Sequence, residues 1–205
     1  MGGLGVAVAL LARGELMMHA TMIELDGRGH LLMAPAGHGK SLTAAAACAA
    51  GAALIAEDTT CVVAGSDGRR HAPTGSNVLR TRRSRAELDA WFGPEQMSES
   101  SDGRTLVEFD APERLVSIDR LHLVVLDPNA SVASVAGLES SMAVMHVLGH
   151  VRVPGLLPGP ELDRHFDAVA DLVSDAMVDV IRLPFTGDIS PLPGALVESL
   201  RASHG

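Results

Sequence analysis

The residues with the clearest capacity for chemistry lie in a glycine-rich stretch in the first quarter of the chain. Residues 34–41 read Ala-Pro-Ala-Gly-His-Gly-Lys-Ser. This is a form of the phosphate-binding loop (P-loop, Walker A motif) whose first position holds Ala34 where Gly is commonest. Lys40 is the only lysine among 16 basic residues. A compact ammonium on a slim stem fits a cradle of backbone N–H groups better than a flat guanidinium does. The stretch therefore predicts a site for a phosphate chain.

The neighbouring sequence has the order that such a loop requires. Residues 29–33 form an apolar run that predicts a strand, and residues 41–50 predict a helix closed by Gly51. Loop amides and the positive end of that helix would hold a triphosphate, with Lys40 on the outer phosphates and the Ser41 hydroxyl on Mg²⁺. We thus expect ATP and Mg²⁺ as ligands. The predicted loop contacts are Ala36, Gly37, His38, Gly39, Lys40, Ser41 and Leu42.

A pair of carboxylates closes the next apolar strand. Residues 54–58 read Leu-Ile-Ala-Glu-Asp, and their distance from Ser41 lets this strand return beside the loop. One carboxylate can hold Mg²⁺ while the other takes a proton from an incoming hydroxyl. Glu57 and Asp58 are therefore candidate catalytic residues.

The elements that must position these groups can be read along the chain. Residues 18–25, a turn at 26–29 and residues 30–33 predict a β-hairpin whose second strand enters the loop. Residues 94–103, rich in Ser, Glu and Asp, predict a mobile loop. Further strands are predicted near 53–56, 60–64, 104–109, 121–126 and 178–183, and further helices near 84–92, 137–148, 161–175 and 191–202.

Composition bounds the class of protein. A chain of 205 residues with 47% hydrophobic content predicts one α/β domain spanning residues 1–205, and its core must be aliphatic because aromatic residues make up only 2%. The formal net charge of −9 argues against nucleic acid as a partner. Residues 1–17 predict a helical segment. Its apolar part, residues 2–12, lacks a basic start and is too short to cross a bilayer, so we expect no membrane anchor there and a cytoplasmic location. The two cysteines make neither a metal pattern nor a disulfide framework.

The run from His19 to Asp58 resembles the catalytic domain of the HPr kinase/phosphorylase superfamily. The likeness includes the shorter relatives found beside peptide-modifying enzymes, such as those of lasso peptides. A His opens the hairpin, the loop begins 15 residues later, the helix ends in Gly51, and the paired acids begin 16 residues after Ser41. The resemblance implies an HPr-kinase-like P-loop α/β domain with a mixed β-sheet and flanking helices, in which residues 18–58 form the nucleotide-binding core.

The same resemblance implies a serine-type kinase that moves the γ-phosphate of ATP to a Ser or Thr hydroxyl of a peptide or protein, such as a ribosomal peptide precursor. It gives Glu57 the position of the catalytic acid/base and Asp58 that of its Mg²⁺-associated partner. His19 takes that of an active-site histidine, and Arg104, in an Asp-Gly-Arg turn, that of a phosphate or substrate contact. Glu57 replaces the usual Asp and so adds one methylene. Full-length members form hexamers, so the resemblance also allows a homo-oligomer.

Two other functions stay open from the sequence. Residues 123–127 form an apolar strand ending in Asp127, as expected of the Mg²⁺-holding acid of ordinary P-loop ATPases and GTPases, which would make the chain a nucleotide-driven switch. The Ala34 and Glu57 substitutions also fit a binding module that no longer turns over.

Two further clusters have more than one interpretation. The basic cluster of Arg80, Arg82, Arg83 and Arg85 fits a solvated helix start or a rim that steers an acidic substrate. His146 and His150 lie four residues apart like a metal pair, but no third ligand accompanies them, which favours a structural or surface role.

Overall fold

A mixed β-sheet organises the chain. The computed structural model describes residues 15–110, 113–152, 159–184 and 188–203. The helical segment predicted for residues 1–17 lies almost entirely outside these ranges. Where it enters them it differs from the prediction, because Leu16 and Met17 begin a strand that pairs with residues 61–62.

The elements have the following bounds. The strands are β1 Leu16–Met18, β2 Ala20–Leu25, β3 Arg28–Met33, β4 Ala53–Ala56, β5 Thr60–Ala64, β6 Arg70–Pro73, β7 Val78–Thr81, β8 Met97–Glu99, β9 Thr105–Glu108, β10 Leu115–Asp127, β11 Ser134–Gly137 and β12 Met177–Pro184. The helices are α1 Lys40–Ala49, α2 Arg85–Leu88, α3 Ser140–Leu148, α4 Gly159–Asp175 and α5 Leu192–Ala202, with a 3₁₀ turn at Pro94–Gln96.

Strand β10 is the central strand of the main sheet. It pairs in parallel with β3 on one side and with β12 on the other, and its first residues pair antiparallel with β6. Among the described residues, the strand order in the sheet is β1, β5, β6, β10, β3, β2 and β4. Two strands lie off this path: β12 pairs with β10, and β11 pairs with β12. Because β3 is covered on both sides, residues 29–33 are all buried, as expected of a strand inside such a sheet.

Strands β2 and β3 pair antiparallel, from Ala20 opposite Met33 to Leu25 opposite Arg28. Asp26 and Gly27 turn the chain with φ values of 52° and 76°. Two central residues at positive φ are the geometry that matches the twist of a two-residue hairpin. Strand β4 pairs antiparallel with β2, which brings the end of β4 next to the start of β2.

The core lies on both faces of the sheet. One cluster packs α1, α5 and the small β7–β9–β8 sheet against it, and the other packs α3 and α4 against the opposite face. Residues 44–47 of α1 are alanines that are fully buried, so this helix approaches the sheet closely. Within the described residues, no helix is long and apolar enough to cross a membrane.

Some short elements differ from the sequence expectation. Residues 134–137 form β11, so the helix predicted from 137 begins only at Ser140. The stretch 94–103, predicted as a loop, contains the 3₁₀ turn and β8, which pairs with β9. Strands β8 and β11 have no distinctive apolar run, because what stabilises them is pairing with a distant partner.

Candidate functional site

The glycine-rich loop, residues 34–39, connects β3 to the first residue of α1. Gly37 and Gly39 have φ values of 82° and 93°, a region that disfavours any residue with a Cβ. A Cβ on Gly39 would also lie 3.0 Å from Leu126 Cδ2 and 3.3 Å from Leu183 Cδ1. Gly39 provides no side-chain cap for α1. The N–H groups of the first helical turn therefore have no side-chain cap and lie next to two glycines, an arrangement that favours anions.

Lys40 is buried at the base of this loop. Its side chain is 7% exposed, and its Nζ lies 3.1 Å from Asp58 Oδ1. Burial lowers the pKa of Lys40, because removing an ammonium from water disfavours its charged form, and the carboxylate of Asp58 opposes that shift.

Glu57 joins the start of α1 to the hairpin. Its side chain follows β4 and is buried. Glu57 Oε1 accepts a hydrogen bond from Ser41 Oγ at 2.9 Å, and Oε2 accepts one from Thr21 Oγ1 at 2.7 Å. A hydroxyl and a carboxylate oxygen thus stand side by side next to the loop.

Asp58 is surrounded by cationic and hydrogen-bonding groups. Its Oδ1 lies 3.2 Å from His19 Nε2 and 3.1 Å from Lys40 Nζ, and its Oδ2 lies 2.6 Å from Arg152 Nη2. The hydrogen bond from His19, then Lys40 and Arg152, hold the pKa of Asp58 well below its usual range. Asp58 also adopts φ of 60°, and its side chain is 57% exposed. A left-handed aspartate costs on the order of 1 kcal/mol, which these contacts offset.

Arg152 and Thr21 are site residues that the sequence analysis missed. Arg152 reaches the site because its N–H donates to Met17 O and the N–H of His19 donates to His150 O, both at 2.7 Å. No local pattern marks it, since it lies 94 residues from Asp58. Thr21 could have been predicted from the sequence, because it lies two residues after His19 at the start of the hairpin. In a strand, residues two positions apart lie on the same face.

His19, Lys40, Ser41, Glu57 and Asp58 line one cavity of about 620 Å³. The loop, the first turn of α1, His19 and both carboxylates form one wall, and residues from 76 to 83 with Arg104 form another. The cavity thus brings together nearly all the predicted site residues. His38 is the exception, because its ring points outward and its Nδ1 lies 3.1 Å from Ala36 O. The cavity-lining residues that the sequence predicted are His19, Ala36, Gly37, Gly39, Lys40, Ser41, Leu42, Glu57, Asp58 and Arg104.

Asp127, the acid of the alternative switch hypothesis, stands outside the cavity lining, to which its neighbour Leu126 contributes. Asp127 Oδ1 accepts a hydrogen bond from Asn129 N at 2.8 Å, and its Oδ2 lies 3.8 Å from Arg182 Nε. Its carboxylate is therefore engaged within its own turn and with the neighbouring strand.

The pair His146 and His150 shows no metal-binding constellation. In the described part of the chain, no group of three or more His, Cys, Asp or Glu side chains could hold a metal ion. Burial, with smaller contributions from His19 and Lys40, lowers the pKa of His150 to about 4.

Comparison with known proteins finds similarity among solved structures. No protein-family model and no curated protein matches the chain. Among solved structures, the chain is similar to the HPr(Ser) kinase/phosphatase from Coxiella burnetii, at 14% sequence identity and a TM-score of 0.43 over 92% of each chain. What this site can do is therefore inferred from its own geometry.

Proposed function

We propose that this protein is an HPr-kinase-like phosphotransferase that moves the γ-phosphate of ATP to a serine-type hydroxyl of a peptide or protein. The observation that carries the proposal is the convergence of two contacts in one cavity. Ser41 Oγ lies 2.9 Å from Glu57 Oε1, and Lys40 Nζ lies 3.1 Å from Asp58 Oδ1. A phosphate-binding helix start and two carboxylates are thereby held within reach of the same ligand.

The residues fit a magnesium nucleotide. The loop amides, the first turn of α1 and Lys40 would hold the phosphates, and Ser41 with Glu57 would hold Mg²⁺, which takes hydroxyl and carboxylate oxygens readily. When bound, Mg²⁺ supplies positive charge that offsets the charge of the transferring phosphoryl group. Gly37 and Gly39 carry no side chains, so phosphate oxygens can approach the backbone at these two positions.

The contacts favour exchanging the roles that the sequence suggested for the two acids. Glu57 is buried beside Ser41, which suits the Mg²⁺-associated position, whereas Asp58 is 57% exposed and lines the cavity. We therefore assign proton acceptance to Asp58. The acceptor oxygen forms a bond to the γ-phosphorus, the bond from that phosphorus to the β–γ bridging oxygen breaks, and ADP leaves with the bonding electron pair. The hydroxyl proton passes to Asp58.

Lys40 couples nucleotide binding to the strength of this base. Its ammonium contacts Asp58 and also lies at the start of α1, so phosphates in the loop compete with Asp58 for it. Withdrawing Lys40 from Asp58 removes one of the cations that depress its pKa, and the carboxylate becomes more basic when the phosphate donor is in place. His19 and Arg152 would keep it oriented.

The experiment is Mg²⁺-dependent turnover of γ-labelled ATP, with serine-containing peptides encoded near the gene as acceptors. The enzymes are the wild type and the variants Lys40→Ala, Glu57→Gln, Asp58→Asn and Asp127→Asn. We expect label on a peptide and a loss of about 10²-fold or more in Asp58→Asn, the size typical of a missing general base. Glu57→Gln should raise the Mg²⁺ concentration required, and Asp127→Asn should behave as wild type.

Two other results would each select a competing function. Label released only as inorganic phosphate, with sensitivity to Asp127 and none to Asp58, identifies a nucleotide-driven switch. Tight Mg²⁺·ATP binding with no transfer or hydrolysis identifies a binding module.

A further inference from the structure

The second wall of the cavity is a face of the small three-stranded sheet. In β7, Leu79 and Thr81 are buried and Arg80 is exposed, as expected when alternate residues face opposite sides. Arg82, directly after the strand, is exposed as well. In the β7–β9 register Thr81 lies opposite Thr105, so Arg82 falls opposite Arg104, just beyond the paired residues. Arg80, Arg82 and Arg104 all line the cavity, and we name them the arginine face.

The three arginines differ in their partners. Arg80 Nη2 lies 2.6 Å from Asp102 Oδ1 and Arg104 Nε lies 3.2 Å from Asp102 Oδ2, so one carboxylate serves two guanidinium groups. Arg82 forms neither an ion pair nor a side-chain hydrogen bond with any residue that the structure describes. Its Nη1 stands 3.9 Å from the position that a Cβ on Gly37 would take. Arg82 thus overhangs the edge of the glycine-rich loop with its charge uncompensated.

The stability of the fold does not account for this cluster. Like charges at directly opposite positions of an antiparallel pair are destabilising, and Asp102 offsets only part of the positive charge. The whole chain carries a formal charge of −9, yet this wall of the cavity carries three arginines close together. A surface with clustered charge of one sign attracts ligands of the opposite sign.

We propose that the arginine face binds an anionic group of the phosphate acceptor, so that the acceptor is an acidic peptide segment carrying the reactive hydroxyl. This inference rests on the proposed function. The loop and Lys40 already serve the nucleotide phosphates in the proposed function, while Arg80 lines the same cavity as Asp58. Strand β7 is also an edge strand of its sheet, and such an edge can receive an extended peptide by strand addition.

The test measures binding by fluorescence anisotropy at a saturating concentration of a non-hydrolysable Mg²⁺·ATP analogue. Two labelled probes are compared, Asp-Asp-Ser-Asp-Asp and Ala-Ala-Ser-Ala-Ala, with wild type, Arg82→Gln and Arg85→Gln. Arg85 is a matched control, because it is an exposed arginine of the same segment that does not line the cavity and whose Nη2 lies 3.3 Å from Pro94 O.

We expect the wild type to bind the acidic probe at least tenfold more tightly than the alanine probe. Arg82→Gln should bind the acidic probe at least fivefold more weakly than the wild type and bind the ATP analogue equally well. Arg85→Gln should change neither of these two affinities by more than twofold. Raising the salt concentration should weaken the binding of the acidic probe and leave the binding of the alanine probe unchanged.

The inference is overturned if the wild type binds both probes equally, or if Arg82→Gln loses affinity for the analogue and not for the acidic probe, since Arg82 would then serve the nucleotide phosphates. A wild type that fails to bind the analogue removes the proposed function itself. The titration with the ATP analogue therefore tests the proposed function, and the titrations with the two peptide probes test the role of the arginine face.

Discussion

The hydroxyl of Thr21 holds both acids of the site. Thr21 is fully buried, its Oγ1 donates to Glu57 Oε2 at 2.7 Å, and the same oxygen accepts the N–H of Asp58 at 3.3 Å. A single side chain on β2 therefore orients the carboxylate of Glu57 and the backbone that carries Asp58. Because Glu57 is itself buried, any loss of this donor leaves a carboxylate with one partner fewer in a poorly solvated place.

We predict that Thr21→Val destabilises the protein by about 1–3 kcal/mol, the usual cost of leaving a buried polar group unsatisfied. Turnover should fall as well, because the two carboxylates lose their common anchor. Thr21→Ser retains the hydroxyl and should keep most of the activity. Urea denaturation and the kinase assay measure both effects. Equal stability and turnover for the Val and Ser variants would show that this hydrogen bond holds neither acid.

His150 makes the stability of the protein depend on pH. Burial, with His19 and Lys40, lowers the pKa of His150 from 6.5 to about 4. Between these values the unfolded chain binds a proton that the folded chain does not, so stability rises with pH in this range. The contribution is complete above about pH 6.5 and is lost as the pH falls toward 4.

We predict that the Tm of His150→Gln falls less between pH 7 and pH 4 than the Tm of the wild type, because glutamine takes up no proton. His146→Gln is the control, since His146 is exposed and is the last of the contributors to the pKa of His150. Scanning calorimetry across this range measures the difference. Parallel curves for wild type and His150→Gln would contradict the prediction.

The site residues that sequence could predict are those joined by local order along the chain. His19, Lys40, Ser41, Glu57 and Asp58 fall within 40 residues, and strand, loop, helix and returning strand bring them to one place. Arg152 escaped because the backbone contacts of residues 150–152 with 17–19 depend on the whole domain folding. The contacts themselves were needed to suggest which acid stands beside Ser41.

At the scale of elements, β3 and β10 approach each other closely at Gly29. A Cβ on Gly29 would lie 1.9 Å from the backbone oxygen of Ser117 and 2.4 Å from Met22 Cε. The Gly29 N–H also donates to Asp119 Oδ2 at 2.8 Å. Strand β3, which leads into the glycine-rich loop, therefore packs closely against β10 at a residue without a side chain.

Gly29→Ala is expected to destabilise the protein by roughly 2–5 kcal/mol, since backbone atoms must move to admit a methyl group. Gly194→Ala is the matched control, and it should change the stability in the opposite direction. Gly194 lies in α5 with open space around its Cβ position, so alanine should stabilise by about 0.5–1 kcal/mol. Denaturant midpoints measure both. A Gly29→Ala variant as stable as the wild type would show that the two strands are not held this tightly.

Elements with an apolar run or a helical period of their own followed from the sequence, and several short strands without one did not. The strands at β3, β4, β5, β9, β10 and β12 and the long helices α1, α4 and α5 lie near the expected places. Strands β7, β8 and β11 were missed or taken for loop and helix. Their residues owe their shape to partners elsewhere, and this matters because β7 carries Arg80 and ends directly before Arg82.

At the scale of the whole molecule, a buried polar network connects the sheet to the last helix. Arg120 Nη1 on β10 lies 3.0 Å from Asp179 Oδ2 on β12, and Arg120 Nη2 donates to Ser203 O at 2.8 Å beyond the end of α5. His122 Nδ1 lies 3.7 Å from Asp179 Oδ2, and His122 Nε2 lies 2.9 Å from His30 Nδ1 on β3. No sequence pattern predicts this network, because its members come from four separate segments.

We predict that Asp179→Ala destabilises the protein by about 3–5 kcal/mol, the cost of leaving one charge of a buried pair uncompensated. The side chains of Arg120 and Asp179 are 3% and 5% exposed, so water cannot replace the lost carboxylate. Asp171→Ala is the control, because Asp171 pairs with Arg70 at 2.7 Å while 62% exposed, and a surface pair contributes only about 0–1 kcal/mol.

Urea denaturation of both variants, with the double variant Arg120→Met/Asp179→Leu, separates two causes of the loss. If the uncompensated charge is the cause, the double variant recovers much of the stability, since an apolar pair of similar size is often as stable as a buried ion pair. If the loss arises from the network's hydrogen bonds to residue 203, the double variant stays as unstable as Asp179→Ala. A loss in Asp179→Ala no larger than that in Asp171→Ala would mean that the network does not join the sheet to the last helix in solution.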